Sequence, residues 1–397
     1  MTATAGYTGH DLLSNHDWTF PVPIAYGPGR LGEIGEHCAA AGIRNPLLMT
    51  DRGSAALPFV TGTQQALQAA GLGSGLYAEI SPNPQYVEIS AARAAFRDGN
   101  HDAIIGMGGG SGMDGAKATC LTAYNDHDLW AFDYDGEGVS VQGKTPFPPL
   151  ICVPTTAGTG AETESTAMIT DTQRGLKLCI WHPRLKPSLA LLDPELTVGL
   201  PANLTAWTGI DALVHAIEAY CVPDYHPLCD GIALQAMALI RRWLPTAVSE
   251  PTNLAARGGM QVGACLGGIA FLKGLGLVHA ISHMVGADHD THHGLTNAIA
   301  LPAVLRFNEP ALDPYLPAMA QALSLPDAGF DTFYHAICQL LDDLQVPKTL
   351  GELGIPVSAA SGLAAKAHGD AAAGTNPRQA SIADIETLLE DIIDRGR

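Results

Sequence analysis

Five of the fifteen histidines in this chain lie within a single stretch, HAISHMVGADHDTHH (279–293). The start of this stretch has helical spacing, so His279 and His283 would lie one turn apart on one helical face. The segment GIDALVHAIE (209–218) repeats this arrangement, with Asp211 and His215 at positions i and i+4. Two ligand-type residues with this spacing can bind one metal ion from the same face of a helix.

One carboxylate together with imidazole nitrogens suits borderline divalent cations such as Fe²⁺ or Zn²⁺. A dication that meets only one carboxylate keeps positive charge, which polarises a carbonyl and stabilises an alkoxide, as hydride transfer to or from an alcohol requires. A single histidine is more often a hydrogen-bonded structural residue, but two such pairs on apolar helices favour a metal site. The spacing leaves open whether His289, His292 or His293 completes the site.

Two glycine-rich segments follow predicted strands. In AIIGMGGGSG (103–112), a strand, a side-chain-free turn and a helix N-terminus would form a phosphate site. Unlike the dinucleotide-binding fingerprint, the segment does not follow the first strand, and a tight turn is an equal alternative. The hydroxyls of PTTAGTGAE (154–162) are suited to a cofactor or to a structural loop. Asp51 follows a predicted strand, where a carboxylate can bind ribose hydroxyls and disfavour a 2′-phosphate. A simple turn is the commoner role for a lone aspartate.

The predicted secondary structure changes near DPELTVGLP (193–201). Before this segment, short apolar runs alternate with helix-favouring stretches, which predicts βαβ units around a mainly parallel sheet. The predicted strands are 46–50, 76–80, 103–107, 150–153 and 189–192, and two predicted helices lie at 90–98 and 113–124. After it, helical spacing predominates, at 204–221, 229–248, 253–271, 275–286, 310–323 and 381–394. The sequence therefore predicts an α/β domain over residues 1–200 and an all-helical domain over 201–397.

Composition narrows the class of protein. The 397 residues are 47% hydrophobic and 15% charged, which is enough for two cores, and the net charge of −19 argues against nucleic acid or anionic lipid as a partner. No apolar run is long enough to cross a bilayer, and the polar N-terminal segment 1–18 lacks a signal-peptide pattern. The scattered cysteines form no CxxC motif and are expected to be buried thiols. We expect a cytoplasmic protein that binds a small molecule.

These segments resemble, in order, the motifs of the iron-containing (group III) alcohol dehydrogenases. The resemblance spans nearly the whole chain, through GMGGGSGMDGAKA (106–118), PTTAGTGAETESTAMITD (154–171), DPELTVGLP (193–201), TGIDALVHAIEAY (208–220), GLGLVHAISHMVGADHDTHHGLTNAIALP (274–302) and TNPR (375–378). It implies an α/β dinucleotide-binding domain and an all-α metal-binding domain, a fold shared with dehydroquinate synthase. The implied function is oxidoreduction between a small primary or secondary alcohol and its aldehyde or ketone. It would use NAD(H) and Fe²⁺, or alternatively Zn²⁺, in a homodimer or larger homo-oligomer.

The resemblance also implies individual residue roles. The family's metal ligands, one aspartate and three histidines, correspond to Asp211, His215, His279 and His293. His283 corresponds to a non-ligand histidine near the nicotinamide, which makes it a candidate catalytic proton relay or positioning group. The pyrophosphate-binding turn corresponds to Gly109, Gly110 and Ser111 with Asp114, and further cofactor contacts correspond to Thr155, Thr159, Thr166 and Lys177. Asp51 matches the carboxylate that binds the adenosine ribose, which favours NAD over NADP.

The chain departs from the family pattern at several positions. His292 stands where many members have proline, Thr166 stands where relatives often have a side-chain amide, and FLKGLG (271–276) differs in length by about one residue and adds a lysine. We hypothesise that Lys273, with Phe271 near it, lies at the substrate and holds the anion of a short ω-hydroxy or ω-oxo acid or a phosphonate. A solvated or cofactor-contacting lysine is the alternative.

Three other functions are compatible with such a fold. A lyase resembling dehydroquinate synthase would also bind NAD and a metal, but through a different set of ligands. A metal-free maleylacetate reductase is disfavoured because all four ligand positions are filled. A non-catalytic NAD-binding or filament-forming protein would bind cofactor without turning over a substrate.

Overall fold

The structure is a computed structural model that describes residues 22–143 and 146–397. These residues form two compact units, 22–199 and 200–397. The N-terminal segment on which the absence of a signal peptide was predicted lies outside the described residues.

The first unit is an α/β unit. Its strands are β1 (Ile24–Tyr26), β2 (Pro46–Asp51), β3 (Gly75–Ile80), β4 (Ala103–Gly108), β5 (Leu150–Pro154), β6 (Thr166–Asp171), β7 (Leu176–Trp181) and β8 (Leu189–Leu192). Six of them form a parallel sheet in the order β1-β8-β5-β4-β2-β3, and β6 and β7 form an antiparallel hairpin. Its helices are α1 (Ile34–Ala40), α2 (Pro58–Ala69), α3 (Tyr86–Asp98) and α4 (Gly110–Ala123).

Strand β4 lies between β2 and β5 in the sheet, and all six of its residues are buried. Successive side chains point to opposite faces, so Ile104 packs into one hydrophobic cluster and Ile105 into the other. Burial on both faces explains why this strand is continuously apolar in sequence. Because the strands are parallel, β2, β4 and β5 all end at the same edge of the sheet, where both glycine-rich segments begin.

The described part of the second unit is helical. Its helices are α5 (Ala202–Cys221), α6 (Pro227–Ser249), α7 (Leu254–Ala270), α8 (Leu277–His289), α9 (His293–Leu312), α10 (Leu316–Ala322), α11 (Phe330–Asp343), α12 (Ala360–His368), α13 (Ala371–Gly374) and α14 (Ile382–Asp394). From Thr208 to its end, α5 is buried all round, which is typical of the central helix of a large core. The Ser381 side chain caps α14 by accepting from the Asp384 backbone N–H, as the sequence predicts.

The predicted fold class is confirmed: a parallel α/β sheet is followed by a helical unit. The five predicted strands agree with β2, β3, β4, β5 and β8 to within one residue at each end. The predicted helix 310–323 is wrong, because the chain leaves α9 at Leu312 and begins α10 at Leu316. Pro314 has no N–H to continue the helical hydrogen bonds, and the N–H of Tyr315 turns back to the carbonyl of Leu312 at 2.8 Å.

All eight cysteines lie in the described ranges and none forms a disulfide; six of them are buried and two are half-buried. Within the described ranges, no single helix is both long enough and apolar enough to cross a bilayer. Leu254–Lys273 and Leu277–His289 are long and apolar enough only when they are taken together, and this pair is bent by 103°.

Candidate metal centre and cofactor-binding turn

Three helices of the second unit bring four ligand-type side chains together. Asp211 and His215 lie one turn apart on α5, His279 lies in the first turn of α8, and His293 is the first residue of α9. Each offers one ligand atom, and all four atoms lie within 4.8 Å of one another. This cluster contains the four predicted metal ligands, whereas His289 lies outside it, exposed at the end of α8.

Close helix packing produces the convergence. A Cβ at Gly294 would lie 2.5 Å from the Trp207 carbonyl oxygen and 3.2 Å from the Cβ of Asp211, so only glycine lets α9 begin this close to α5. His292 caps α9 by accepting from the Leu295 backbone N–H, and its ring packs on Trp207 with 5.2 Å between centroids. An N-cap acceptor therefore occupies the position where the family often has proline.

The spacing of the donor atoms fits a single cation. The Nε2 atoms of His215, His279 and His293 lie 3.7, 3.7 and 3.6 Å from Asp211 Oδ1, which is longer than an ordinary hydrogen bond. Ligands at about 2.1 Å from one tetrahedral ion are separated by about 3.4 Å. One carboxylate and three imidazoles also match the donor preference of Fe²⁺ or Zn²⁺.

Neighbouring side chains orient the four groups. Glu218 accepts a hydrogen bond from Nδ1 of His279 at 2.6 Å, and Ser282 Oγ is hydrogen-bonded to Nδ1 of His293 at 2.7 Å. The Asn297 amide donates to Asp211 Oδ1 at 2.6 Å and lies 3.2 Å from Nε2 of both His279 and His293. Histidine ligands commonly have such partners, which fix the orientation of the ring.

Electrostatics favour an ionised carboxylate at the centre of the cluster. Burial would raise the pKa of Asp211, but the three imidazoles hold it well below its ordinary value. Burial likewise acts to lower the pKa of His279, and the neighbouring carboxylates of Asp211 and Glu218 outweigh it and raise that pKa to about 9. The cluster thus has a strong negative centre that a proton or a cation can neutralise.

His283 lies beside the cluster, on the same helix as His279. Its ring stacks on that of His293, with centroids 5.5 Å apart and planes inclined by 12°. Its Nδ1 lies 2.9 Å from Asp370 Oδ2, and both side chains are mostly buried. Because an ionised carboxylate only accepts hydrogen bonds, Nδ1 carries a hydrogen, and in the neutral ring Nε2 is an acceptor.

The two predicted substrate residues are placed differently. The ring of Phe271 lies against that of His215, with 4.8 Å between centroids. The Lys273 ammonium is instead buried and ion-paired with Asp230 Oδ1 at 2.5 Å, and it also lies 3.4 Å from the Tyr220 carbonyl. A buried ammonium with these partners differs from the expected anion-binding group, and a substrate contact of Lys273 stays a prediction.

In the first unit, several predicted cofactor residues gather at the ends of β2, β4 and β5. A Cβ at Gly108, whose φ is +140°, would lie 2.9 Å from Asp51 Oδ2, and one at Gly110 would lie 2.9 Å from the Thr159 methyl group. The backbone N–H of Thr155 donates to the Gly108 carbonyl at 2.9 Å. The turn before α4 is therefore lined by Asp51 on one side and by the 155–159 segment on the other.

The remaining predicted cofactor residues lie around this turn. Gly109 is the N-cap of α4, and Ser111 is half-buried in its first turn. The carboxylate of Asp114 accepts from the Met168 backbone N–H at 3.2 Å, and burial raises its pKa. Asp114 thus joins α4 to the β6–β7 hairpin, which carries the other two predicted contacts, Thr166 and Lys177.

Several residues that complete these sites were missed by sequence reasoning. Glu218 lies three residues after His215, and Asn297 lies four residues after His293, so helical spacing alone could have indicated both. Asp370 lies 87 residues after His283 and carries no local signal. Asn83, which accepts from Lys177 Nζ at 3.2 Å, likewise comes from a distant loop.

Comparisons with known proteins agree along most of the chain. Residues 21–194 match the profile of the iron-containing alcohol dehydrogenases, and residues 205–393 match the profile of the C-terminal domain of that family. The probable alcohol dehydrogenase EutG of Escherichia coli is 35% identical over 373 residues, which is 93% of each chain. The NAD-dependent methanol dehydrogenase of Bacillus methanolicus is 33% identical over 380 residues, covering 94% of this chain and 98% of that one. A crystal structure of a 1,3-propanediol oxidoreductase matches with a TM-score of 0.90 at 34% identity, covering 96% and 100% of the two chains.

A parallel α/β unit and a helical unit with an Asp-His₃ cluster define a metal-dependent type of oxidoreductase. The chain belongs to the iron-containing alcohol dehydrogenase family, and it is an alcohol dehydrogenase. The family and enzyme class predicted from sequence are thereby confirmed, and the relatives do not favour a non-catalytic protein.

Proposed function

We propose that this enzyme interconverts a small primary or secondary alcohol and its aldehyde or ketone, using NAD(H) and a divalent cation held by Asp211, His215, His279 and His293. The observation that carries the proposal is the convergence of one carboxylate oxygen and three imidazole nitrogens within 4.8 Å. A dication bound there would retain positive charge and polarise the oxygen of an alcohol or carbonyl.

We propose Fe²⁺ as the physiological cation, with Zn²⁺ as the alternative. The mixed nitrogen and oxygen donor set suits both ions. Zinc binds more tightly than iron in the general affinity order of divalent metals, so the metal recovered after purification would depend on exposure to each. Anaerobic preparation with added Fe²⁺ is therefore the appropriate condition for assays.

The side chains around the cluster would shield a ligand from water and transfer the proton of the substrate. The Phe271 ring shields one side of His215 from water. His283, with its Nδ1–H donated to Asp370, presents Nε2 as an acceptor for the proton that an alcohol loses on oxidation. In the reductive direction, the same nitrogen would return a proton to the product oxygen.

The glycine-rich turn between β4 and α4 would bind the pyrophosphate of the dinucleotide, whose nicotinamide supplies the hydride chemistry. Free backbone N–H groups at the start of α4 and the small size of Gly109 and Gly110 allow a phosphate to approach closely. The carboxylate of Asp51, placed against the turn, would accept from ribose hydroxyls and repel a 2′-phosphate. The NAD dependence stated in the name of the Bacillus methanolicus relative supports this preference.

The test is NADH consumption by anaerobically purified, Fe²⁺-reconstituted protein with a panel of short aldehydes that includes ω-oxo acids. We expect turnover by the wild type and a loss of at least ~100-fold in His279→Ala, because a polarising cation contributes several kcal/mol to the transition state. His289→Ala, at an exposed histidine outside the cluster, is the matched control and should retain full activity. Absence of turnover in protein that holds both iron and NADH would contradict the proposal.

A further inference from the structure

Glu218 is a buried carboxylate to which the sequence reasoning assigned no role. It lies on α5, on the same face as Asp211 and His215, and its side chain is 5% exposed. The carboxylate accepts three hydrogen bonds: from His279 Nδ1 at 2.6 Å, from the Val278 backbone N–H at 2.7 Å and from the Gly276 backbone N–H at 3.0 Å. All three donors lie at the beginning of α8.

The N-terminus of α8 is thus held by side chains from elsewhere in the second unit. The first N–H groups of a helix have no partner within it, and here Glu218 receives two of them while Asn376 Oδ1 receives that of Leu277 at 3.2 Å. A Cβ at Gly276 would lie 2.7 Å from Glu218 Oε1 and 2.8 Å from Asn376 Oδ1. Glycine is therefore needed for both acceptors to reach this end of the helix.

Glu218 differs from Asn376 in one respect that bears on the metal site. It also contacts the imidazole of His279, at the nitrogen that faces away from the cluster. The other nitrogen, Nε2, lies 3.7 Å from Asp211 Oδ1 and 3.2 Å from the Asn297 amide nitrogen, and so points into the cluster. Since an ionised carboxylate only accepts, Nδ1 carries a hydrogen, and a cation that displaces the second proton of the ring takes the Nε2 lone pair.

We infer that Glu218 is a positioning residue that holds His279 in the Nδ1-protonated form, with Nε2 directed at the cation, and fixes the start of α8 in the same contact. The inference rests on the proposed metal site. Its charge also matters, because a carboxylate that accepts from Nδ1–H makes the opposite nitrogen, Nε2, a more basic ligand. Outer partners of this kind typically change metal affinity 10- to 100-fold.

The experiment compares Glu218→Gln with Asn376→Ala by titrating metal-free protein with Co²⁺ against a chromophoric chelator and recording the visible spectrum of the bound ion. Thermal melting in EDTA measures the cost to the fold separately. Both variants weaken the start of α8, so both should melt at lower temperature than the wild type. Only Glu218→Gln should bind Co²⁺ about 10- to 100-fold more weakly, with shifted absorption bands.

The results distinguish a role of Glu218 in orienting His279 from a role in anchoring the helix alone. Wild-type Co²⁺ affinity in Glu218→Gln would overturn the inference. An equal loss of affinity in the two variants would also overturn it, because Glu218 would then act only by anchoring the helix. Failure of the wild type to bind Co²⁺ would instead overturn the proposed metal site, and the inference with it, which keeps the two failures distinguishable.

Discussion

At the scale of single residues, the immediate surroundings of a buried charged group determine what it can bind. Asp211 and Lys273 are both almost completely buried, yet their surroundings differ. Three imidazoles surround Asp211, and their Nε2 atoms lie at nearly equal distances from one of its oxygens. Lys273 has a carboxylate in direct contact, and this pairing satisfies its charge within the protein.

The Lys273–Asp230 pair supports a prediction about stability and specificity. Lys273→Met should lower the free energy of unfolding by roughly 3–5 kcal/mol, because it leaves the buried carboxylate of Asp230 without its partner. The double variant Lys273→Met/Asp230→Leu should recover most of this loss, as measured by urea unfolding. The ratio of activity on ω-hydroxy acids to activity on plain alcohols should stay constant across the folded variants. A selective loss on the acids would instead support Lys273 as a substrate contact.

Glu164 provides a pH-dependent prediction in the first unit. Its side chain is 3% exposed, no hydrogen-bond donor in the described ranges reaches its Oε1, and burial raises its pKa from 4.5 to about 8. The unfolded chain loses this proton near pH 4.5 and the folded protein only near pH 8. This group therefore removes stability as the pH rises between those values.

Glu164→Gln should therefore be more stable than the wild type, with an advantage that grows from about pH 4.5 to about pH 8 and then levels off. A few kcal/mol is expected, since each pKa unit corresponds to about 1.4 kcal/mol. Chemical unfolding across this pH range measures the effect, and Glu36→Gln, at an exposed glutamate on α1, should show none of it. A pH-independent difference would refute the explanation by deprotonation.

At the scale of elements, the cluster depends on how closely α9 approaches α5. The backbone contact at Gly294 determines where His293 lies relative to Asp211. Sequence spacing places Asp211 and His215 on one helical face, but it does not determine the distance between two helices. Glycine at the crossing sets that distance, because it has no side chain to hold the two helices apart.

Gly294→Ala should consequently weaken metal binding as well as stability. Its Cβ would overlap the Trp207 carbonyl at 2.5 Å and push the start of α9, with His293, away from α5. Gly286→Ala on α8 is the matched control, because its nearest neighbour would be the Thr291 carbonyl at 3.8 Å. We expect it to be neutral or to stabilise by up to about 1 kcal/mol. Co²⁺ titration and thermal melting of the two variants test this, and equal behaviour would contradict the packing argument.

At the scale of the whole molecule, the two sets of functional residues lie in different compact units. The proposed metal ligands all follow Leu200, and the proposed cofactor residues all precede Gly199. The homo-oligomeric state implied by the family resemblance remains a prediction, which light scattering can check.

This division predicts that the two binding functions can be lost separately. Asp211→Asn should abolish metal binding while NADH still binds, as followed by nucleotide fluorescence. Gly110→Val should weaken NADH binding through its clash with Thr159 while Co²⁺ affinity stays unchanged. In the wild type, metal at 100 times its dissociation constant should stabilise the fold by about 2.7 kcal/mol, and Asp211→Asn should lose this effect. Loss of both functions in either variant would show that the units do not bind independently.

Local sequence signals predicted the fold class and the strands around the glycine-rich turn, and the family resemblance indicated the four proposed ligand residues. These follow from local periodicity, from the i and i+4 spacing on α5 and from motifs that resemble one family. The helix predicted at 310–323 was wrong because the prediction overlooked Pro314, and the partner of a long side chain such as Lys273 could not be predicted from local signals.

The distant partners of the site and of its neighbours become apparent only from the tertiary contacts. Asp370 meets His283, Asn376 meets the start of α8 and Asp230 meets Lys273 across separations of 87, 99 and 43 residues. No local pattern encodes such contacts, because they depend on the distance and angle at which helices pack. The physical reason is that a buried polar group must find its partner wherever the fold brings one, and that partner can come from any part of the chain.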